Sequence, residues 1–309
     1  MKLALVFPGQ GSQSVGMMNA YGDVPIIRQT FDEASDSLGR DLWRLVSDGP
    51  PDALAQTVNT QPIMLAAGVA AYGAWRAAGG SEPEVVAGHS LGEYTALVVA
   101  GVIAFRDAVV LVQLRAQAMQ EAVPQGEGAM AALLGLDDDV VRAACADAAQ
   151  GEVVAAANFN APAQVVVAGS TRAVDRAIEA AKVRGAKRAV LLPVSAPFHC
   201  ELMRPAADRL KHALAEVAIR TPRFPVLHNY DVQSRDEPDA IRQALVSQAY
   251  SPVRWAETIR AMAAMGVSHV FECGPGKVLA GLTRRIESGL QGAALADAAG
   301  IEQALASLR

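Results

Sequence analysis

Short apolar runs rich in valine and alanine alternate with longer amphipathic stretches along most of the chain. The pattern predicts strands at residues 2–7, 84–88, 223–228 and 269–273, and helices at 91–100, 252–265 and 277–286. A further helix is predicted near residues 105–123, where apolar positions recur at steps of three and four. Strands that alternate with helices are typical of a mostly parallel sheet covered by helices. The two outer parts of the chain therefore predict an α/β domain.

The middle of the chain has a different order of elements. Its pattern predicts a strand, a helix, two strands, a helix and a strand at residues 128–134, 137–149, 153–157, 164–168, 171–184 and 189–194. This β-α-β-β-α-β order is that of the ferredoxin-like arrangement. We therefore expect an inserted subdomain at residues 127–196, within a larger domain formed by residues 1–126 and 197–309.

Composition narrows the class of protein. The chain has 309 residues, of which 51% are hydrophobic and 19% charged, too apolar a mixture for a disordered chain or a coiled coil. A net charge of −5 argues against a general nucleic-acid binder. No apolar run reaches the roughly 18 residues of a transmembrane helix, and the first run is too short for a signal peptide. Three cysteines without a Cys-x-x-Cys pair indicate neither a disulfide framework nor a metal site. We expect a cytoplasmic enzyme that binds neither membrane nor nucleic acid.

One motif points to covalent chemistry. Gly-His-Ser-Leu-Gly at residues 88–92 fits the pattern G-x-S-x-G, between a predicted strand and a predicted helix. Small residues on both sides permit a sharp turn that lifts the Ser90 hydroxyl above the sheet edge. The helix N-terminus also offers unpaired N–H groups to a developing oxyanion. An ordinary turn with Ser90 as a helix cap is the alternative, and the strand-turn-helix context favours a nucleophile.

A serine nucleophile needs a base, and the chain has five histidines as candidates. His89 adjoins Ser90, and neighbours on an extended segment point in opposite directions. His212 lies in a charged helical stretch, while His228 and His269 lie at predicted strand ends and could be structural. His199 lies in a proline-containing loop where the insert rejoins the main domain, a place where a base would face a cleft. The spacing favours His199 and leaves the others open.

Arg115 is an arginine on the predicted amphipathic helix, with apolar neighbours one turn away on either side. One interpretation is structural: a partly buried ion pair, or a stem along the surface with its head in water. The other is a bidentate clamp for a substrate carboxylate, which the planar guanidinium fits. The residues alone leave the two interpretations equal.

A glycine-rich turn, Gly-Gln-Gly-Ser-Gln at residues 9–13, follows the first predicted strand. Ser14 stands where a dinucleotide-binding fingerprint needs its third glycine, and no Lys-Ser/Thr pair follows to make a phosphate loop. A nucleotide cofactor is therefore not expected. A turn that presents the Gln10 backbone N–H to Ser90, as a second oxyanion donor, fits better.

Five ordered motifs, at residues 7–13, 88–94, 115, 195–199 and 274–276, together resemble the malonyl-CoA:acyl carrier protein transacylases. Members of this family move malonate from coenzyme A to a carrier protein in fatty-acid synthesis, and the resemblance covers essentially the whole chain. It implies an α/β-hydrolase-like large domain that carries the ferredoxin-like insert. It also implies malonyl-CoA as substrate, acyl carrier protein as partner, no cofactor or metal, and a monomeric enzyme.

The resemblance implies a role for each matching residue. Ser90 would be the nucleophile and His199 the base, with the main-chain carbonyl of Gln248 as the acceptor that orients the imidazole. Gln10 and Leu91 would supply the oxyanion N–H groups, and Arg115 would bind the malonyl carboxylate. The remaining substrate-binding candidates are Met119, Phe198, Asn158 and Asn160.

The implied reaction is ping-pong: Ser90 attacks the malonyl thioester, and the acyl-serine then reacts with the pantetheine thiol of the carrier. Because carrier proteins of this pathway are acidic, basic residues are candidate docking charges. They are Lys182, Arg184, Lys187, Arg188, Arg284 and Arg285. An ordinary solvated face explains any one of them equally well.

Three other functions compete with this one. A serine esterase or thioesterase uses the same elbow, but it usually carries Asp or Glu as the third member and does not need Arg115. A noncatalytic carrier-binding subunit is opposed by the presence of both Ser90 and His199. A stand-alone acyltransferase of a polyketide assembly line would have identical chemistry and a different carrier, and the sequence does not separate it.

Overall fold

The computed structural model describes residues 1–308 and shows nine strands in two sheets. The strands are β1 (Leu3–Phe7), β2 (Val85–Gly88), β3 (Gly128–Leu134), β4 (Val154–Ala161), β5 (Gln164–Ser170), β6 (Arg188–Leu191), β7 (Val226–Leu227), β8 (His269–Glu272) and β9 (Gln291–Ala294). Sheet A has the order β7-β2-β1-β8-β9 and is parallel, whereas sheet B has the order β4-β5-β3-β6 and is antiparallel. A mixed α/β fold with a mostly parallel main sheet is thereby confirmed.

Thirteen α-helices accompany the strands within residues 1–308. They are α1 (Pro25–Leu38), α2 (Leu42–Asp48), α3 (Pro51–Ala55), α4 (Thr57–Ala77), α5 (Gly92–Val99), α6 (Phe105–Glu121), α7 (Asp138–Ala149), α8 (Thr171–Val183), α9 (Arg204–Glu216), α10 (Pro238–Tyr250), α11 (Trp255–Ala264), α12 (Val278–Ile286) and α13 (Ala298–Ser307). Among the described residues, none of these helices combines the length and the apolarity that a membrane crossing requires.

The main core lies on both faces of sheet A. Alternate residues of β1 point to opposite sides: Leu5 and Phe7 belong to a buried cluster that includes residues of α1, α4, α5, α6, α9 and α10, whereas Ala4 and Val6 belong to a second cluster with residues of α11 and α12. A strand buried on both faces is apolar at every position, as the pattern of β1 indicates.

The carboxyl ends of three central strands meet at one edge of sheet A. Phe7 of β1 is in register with Gly88 of β2, and Val6 is in register with Glu272 of β8. The loops after these strands therefore lie side by side, at the edge where parallel sheets usually bind ligands.

Sheet B lies beside this edge. On one face, Ala131, Leu133 and their neighbours pack against α7 and α8. On the other face, Met130 and Val166 pack toward the segment that carries Cys200. β4 is joined to the main part of the chain by a short parallel bridge, in which Val253 N–H donates to Ala157 O over 2.9 Å.

Several predicted boundaries are wrong, each for a physical reason. β4 runs to Ala161 rather than to residue 157, because a bulge after Ala156 lets its pairing with β5 continue. β6 ends at Leu191 rather than at 194, since Pro193 cannot donate to a ladder. α11 begins at Trp255 rather than at 252, because Val253 is extended in the bridge to β4. β7 has two residues rather than six, and β9 lies in a segment for which no strand is predicted.

Candidate active site

The turn between β2 and α5 is built by its glycines. A Cβ on Gly88 would lie 1.8 Å from the Gly92 carbonyl carbon, and a Cβ on Gly92 would lie 2.1 Å from Phe7 O. No side chain fits either position. Between them, Ser90 has a φ of 54°, the left-handed conformation that lifts a side chain out of a strand-to-helix turn.

A hydrogen-bonded chain connects Ser90 to Gln248 through His199. Ser90 Oγ lies 2.7 Å from His199 Nε2, and His199 Nδ1 lies 3.0 Å from the main-chain oxygen of Gln248. Because that oxygen can only accept, Nδ1 carries the proton and Nε2 is free to accept the serine proton. Burial, together with the positive charge of Arg115, lowers the pKa of His199 to about 3. The imidazole is therefore neutral and able to act as a base.

Arg115 lies on α6 and is 2% exposed. Its Nη1 donates to Gln61 Oε1 over 2.8 Å, and its Nη2 donates to Gln248 Oε1 over 3.0 Å and to Ser90 Oγ over 3.3 Å. The guanidinium also lies 5.3 Å from the centroid of the Tyr94 ring. Within residues 1–308 no carboxylate lies within 4 Å of it, and its Nε has no hydrogen-bond partner. The structure thus shows a buried cation that is not part of an ion pair.

The predicted site residues line one cleft with a volume of about 210 Å³. Nine of the predicted site residues line this cleft: Gln10, Ser90, Leu91, Arg115, Met119, Asn158, Asn160, Phe198 and His199. Gln248 lies behind them and touches both His199 and Arg115. The structure therefore brings all ten predicted residues together, from both sheets and the loops between them.

The two predicted oxyanion donors are main-chain groups in adjacent loops. Within the described part of the chain, the N–H groups of Gln10 and Leu91 have no hydrogen-bond partner. The Gln10 side chain is tied down separately, because its Nε2 donates to Thr57 Oγ1 over 3.2 Å. Thr57 Oγ1 also lies 2.8 Å from Ser195 Oγ, which joins this loop to the segment that leads to the histidine.

The other four histidines have different surroundings. His212 is exposed, and His269 is buried with its Nδ1 2.9 Å from Ser268 Oγ. His228 is buried against Glu93, with Nδ1 2.8 Å from Oε1. His89 lines the cleft, but its Nε2 lies 2.8 Å from Asn160 Oδ1, and burial lowers its pKa. Among residues 1–308, His199 is the histidine that contacts the Ser90 hydroxyl.

Sequence reasoning missed a layer of polar side chains behind the cleft: Gln61, Glu93 and Asn229. Asn229 Oδ1 accepts from the Ser90 N–H over 2.7 Å, and Glu93 accepts from the Asn229 N–H over 2.8 Å. Glu93 belongs to the motif at residues 88–94, where an acidic residue on an otherwise apolar helix was a usable signal. Gln61 and Asn229 carry no such signal, since each is separated from its partner by many residues.

Comparison with known proteins agrees with this geometry. Residues 4–301 match the family model of the acyl transferase domain. The chain belongs to the acyl transferase family. It is 53% identical to malonyl CoA-acyl carrier protein transacylase of Escherichia coli (strain K12) over 305 residues, which cover 98% of this chain and 99% of that protein.

Solved structures show the same fold. The crystal structure of acyl-carrier-protein S-malonyltransferase from Burkholderia pseudomallei 1710b has a TM-score of 0.98 and 60% identity, covering 99% of this chain and 100% of that chain. A second structure, with a TM-score of 0.98 and 51% identity, covers 99% of this chain and 100% of its own. It shows a type II polyketide acyl-carrier protein in complex with its malonyl-transacylase.

Proposed function

We propose that this enzyme transfers the malonyl group from malonyl-CoA to the phosphopantetheine thiol of acyl carrier protein, through an acyl-serine on Ser90. The observation that carries the proposal is the convergence of two groups on one hydroxyl. Ser90 Oγ lies 2.7 Å from His199 Nε2 and 3.3 Å from Arg115 Nη2. A nucleophile, a neutral base and an unpaired cation together suit a thioester that carries a free carboxylate. The name of the E. coli relative supports the same transfer.

In the first half-reaction, His199 Nε2 takes the Ser90 proton while Oγ attacks the thioester carbonyl carbon. The N–H groups of Gln10 and Leu91 stabilise the resulting oxyanion, each by about 3 kcal/mol. Collapse of the intermediate breaks the C–S bond, and the departing coenzyme A sulfur takes the proton from His199. In the second half-reaction the carrier thiol gives its proton to His199 and its sulfur attacks the acyl-serine carbonyl. The ester C–O bond then breaks, Ser90 Oγ takes the proton back from His199, and the malonyl carrier leaves.

The remaining residues hold the acyl group and the base. Arg115 lines the cleft beside Ser90 and receives the malonyl carboxylate with its planar guanidinium. Met119 and Phe198 form apolar walls, and Asn158 and Asn160 border the cleft on the side of β4. The Gln248 carbonyl keeps the proton of His199 on Nδ1. No cofactor is proposed, because the thioester already activates the acyl group.

We also propose that residues 127–196 form a ferredoxin-like subdomain inserted into an α/β-hydrolase-like domain of residues 1–126 and 197–309. Sheet B lies wholly within this insert, and its strands are joined in the order β-α-β-β-α-β. Its cleft-side face meets the carboxyl edge of sheet A at Ser90. We propose a monomeric enzyme, because the proposed reaction needs no group beyond those of a single copy of the chain, and a cytoplasmic one, because its proposed substrates are soluble thioesters.

The six candidate docking residues differ in whether a carboxylate neutralises them. Lys182 pairs with Glu179 and Arg184 with Asp147, which neutralises those two cations. Within residues 1–308 the other four have no carboxylate partner. They are Lys187, Arg188, Arg284 and Arg285.

Two of these cations, Arg188 and Arg285, lie at one end of sheet B, and Lys187 and Arg284 are their neighbours in the sequence. Leu134 is in register with both Gln164 and Arg188, which places those two residues roughly 10 Å apart across three strands. Arg285 donates to Gln164 Oε1 over 2.5 Å. Val166, two residues further along the same face of β5, lines the cleft. We propose that an acidic carrier docks at this end of the sheet.

Intact-mass measurement after incubation with malonyl-, methylmalonyl- or acetyl-CoA tests the proposed reaction. Malonyl-CoA should give a covalent adduct that Ser90→Ala abolishes and that holo carrier protein discharges with formation of malonyl carrier. An adduct that water removes as fast as the carrier does would indicate a thioesterase, and no adduct at all would indicate a noncatalytic subunit. The thioesterase is already disfavoured, because His199 Nδ1 faces a main-chain carbonyl rather than a carboxylate.

A further inference from the structure

A buried carboxylate lies beneath the nucleophile, and the proposed mechanism gives it no task. Glu93 is on the first turn of α5 and is 0% exposed. We propose that Glu93 is a positioning residue, which orients Asn229 and Gln248 and through them sets the positions of the nucleophile, the base and the acyl-binding cation. This inference rests on the proposed acyl transfer at Ser90.

The first arm of the network runs through Asn229. Glu93 Oε2 accepts from the Asn229 main-chain N–H over 2.8 Å. The Asn229 side chain in turn binds the strand-to-helix turn at two points. Its Oδ1 accepts from the Ser90 N–H over 2.7 Å, and its Nδ2 donates to Gly88 O over 2.7 Å. Ser90 has the strained left-handed φ of 54°, a conformation that persists only where its surroundings hold it. Glu93 thus anchors the residue that holds the strained turn.

The second arm runs through the side chain of Gln248. Its Nε2 donates to Glu93 Oε2 over 3.1 Å and to Ser90 O over 2.9 Å. Because both of these partners are acceptors, the amide nitrogen must face them, and the amide oxygen must face Arg115, whose Nη2 lies 3.0 Å away. The main-chain oxygen of the same residue accepts from His199. The carboxylate therefore selects the amide orientation that faces the cation, on the residue whose main chain holds the base.

The charge of Glu93 is as important as its shape. An ionised carboxylate only accepts, and all the groups around it donate: Asn229 N–H, Gln248 Nε2 and, at 2.8 Å from Oε1, His228 Nδ1. A glutamine in its place would keep the volume but turn one acceptor into a donor. That donor would face His228 Nδ1, which could accept it only by moving the ring proton to Nε2, an atom that has no hydrogen-bond partner among the described residues. The substitution would also remove the negative charge of the network.

The test compares Glu93→Gln with Glu272→Gln, a matched change of carboxylate to amide. Glu272 is also 0% exposed, but it is the last residue of β8, its carboxylate accepts from the Ala280 N–H of α12, and it does not line the cleft. The measurement is kcat/KM for malonyl and for acetyl transfer, per site that can be acylated. In Glu93→Gln we expect malonyl transfer to fall about tenfold or more, as expected for a hydrogen-bond network that contains charged groups, and acetyl transfer to fall less. Glu272→Gln should leave the malonyl-to-acetyl ratio unchanged.

Two further variants keep the inference falsifiable. Glu93→Asp keeps the charge but shortens the side chain by one methylene, so it should also lower the malonyl-to-acetyl ratio. If Glu93→Gln does not fold, this variant provides the test. Gln248→Met removes the amide but retains the carbonyl that faces His199. In that background, a change at Glu93 should no longer alter the ratio, because the two residues act on Arg115 as one unit.

The outcomes separate the two proposals. Equal losses of malonyl and acetyl transfer in both Glu93 variants, with a lowered Tm, would make Glu93 merely structural and overturn the inference. So would an effect of Glu93→Gln on the ratio that persists undiminished in Gln248→Met. If the unmutated enzyme forms no malonyl adduct, the proposed function itself fails, and that result is visible before any variant is made.

Discussion

Replacing Arg115 by alanine should remove discrimination between malonate and acetate. The guanidinium is the one cation that contacts the Ser90 hydroxyl among the described residues, at 3.3 Å from Oγ. A malonyl carboxylate held there makes a charge-assisted hydrogen bond in a buried site, so its loss should reduce malonyl transfer by about 2–3 kcal/mol or more, roughly 30- to 150-fold. Acetyl-CoA has no carboxylate, and its transfer should fall far less or rise.

The same substitution has a structural effect that must be separated from the loss of binding. Arg115 donates to Gln61 Oε1 and Gln248 Oε1, and truncation leaves these two buried oxygens unpaired. Each unpaired group costs about 1–3 kcal/mol of unfolding free energy, so Tm should also fall. This effect acts on both acyl donors alike and therefore cancels in the ratio of their rates.

The assay is single-turnover acylation of Ser90 by malonyl-CoA and acetyl-CoA, followed by intact mass on folded protein. Arg115→Lys is the control for charge: it should restore only part of the malonyl rate, because a point charge cannot reproduce the planar fork. Parallel losses on both donors, tracking the fall in Tm, would refute the carboxylate clamp and leave Arg115 a structural residue.

Three further outcomes are expected. The acylation rate should stay constant from pH 8 down to about pH 5, because the pKa of His199 is lowered to about 3; a fall near pH 6.5 would contradict a buried neutral base. Phe198→Ala should raise the methylmalonyl-to-malonyl ratio partially, since one methyl group in an apolar wall is worth roughly 1–3 kcal/mol, and an unchanged ratio would remove Phe198 from the pocket wall. Burial raises the pKa of Glu272 from 4.5 to about 7, so its contribution to stability declines as pH rises from 4.5 to 7. Urea unfolding over that window should therefore show Glu272→Gln gaining about 3 kcal/mol relative to the parent, and parallel pH curves would disprove the shift.

The sequence predicts those parts of the site that depend on neighbours along the chain. The strand-to-helix turn at residues 88–92 can be predicted because its glycines are required by contacts within the turn and with β1. β1 and β8 can be predicted because a parallel strand that is buried on both faces is largely apolar. The predicted end of β6 and the predicted start of α11 are wrong by three residues each. The apolar pattern extends past Pro193, where the strand ends, and it does not reveal that Val253 pairs with β4.

Contacts between residues that are distant in the sequence cannot be predicted in the same way. The neighbours of Arg115 on its own helix are apolar, and they do not reveal what packs against it from α4 and α10. Gln61 and Gln248 meet it from positions 54 and 133 residues away. The choice between an ion pair and a clamp, open at the level of sequence, depends on these two amides and on the absence of a carboxylate beside the cation in the described part of the chain.

The arrangement of the two buried charges explains how such a cation can still bind an anion. If Glu93 touched Arg115 directly, a substrate carboxylate would have to displace a protein carboxylate in a buried site, at a large electrostatic cost. Instead the Gln248 amide lies between them, accepting from Arg115 with its oxygen and donating to Glu93 with its nitrogen. The negative charge of Glu93 still favours the charged guanidinium from one residue away. An interposed amide therefore links the buried cation to a buried carboxylate without a direct ion pair between them.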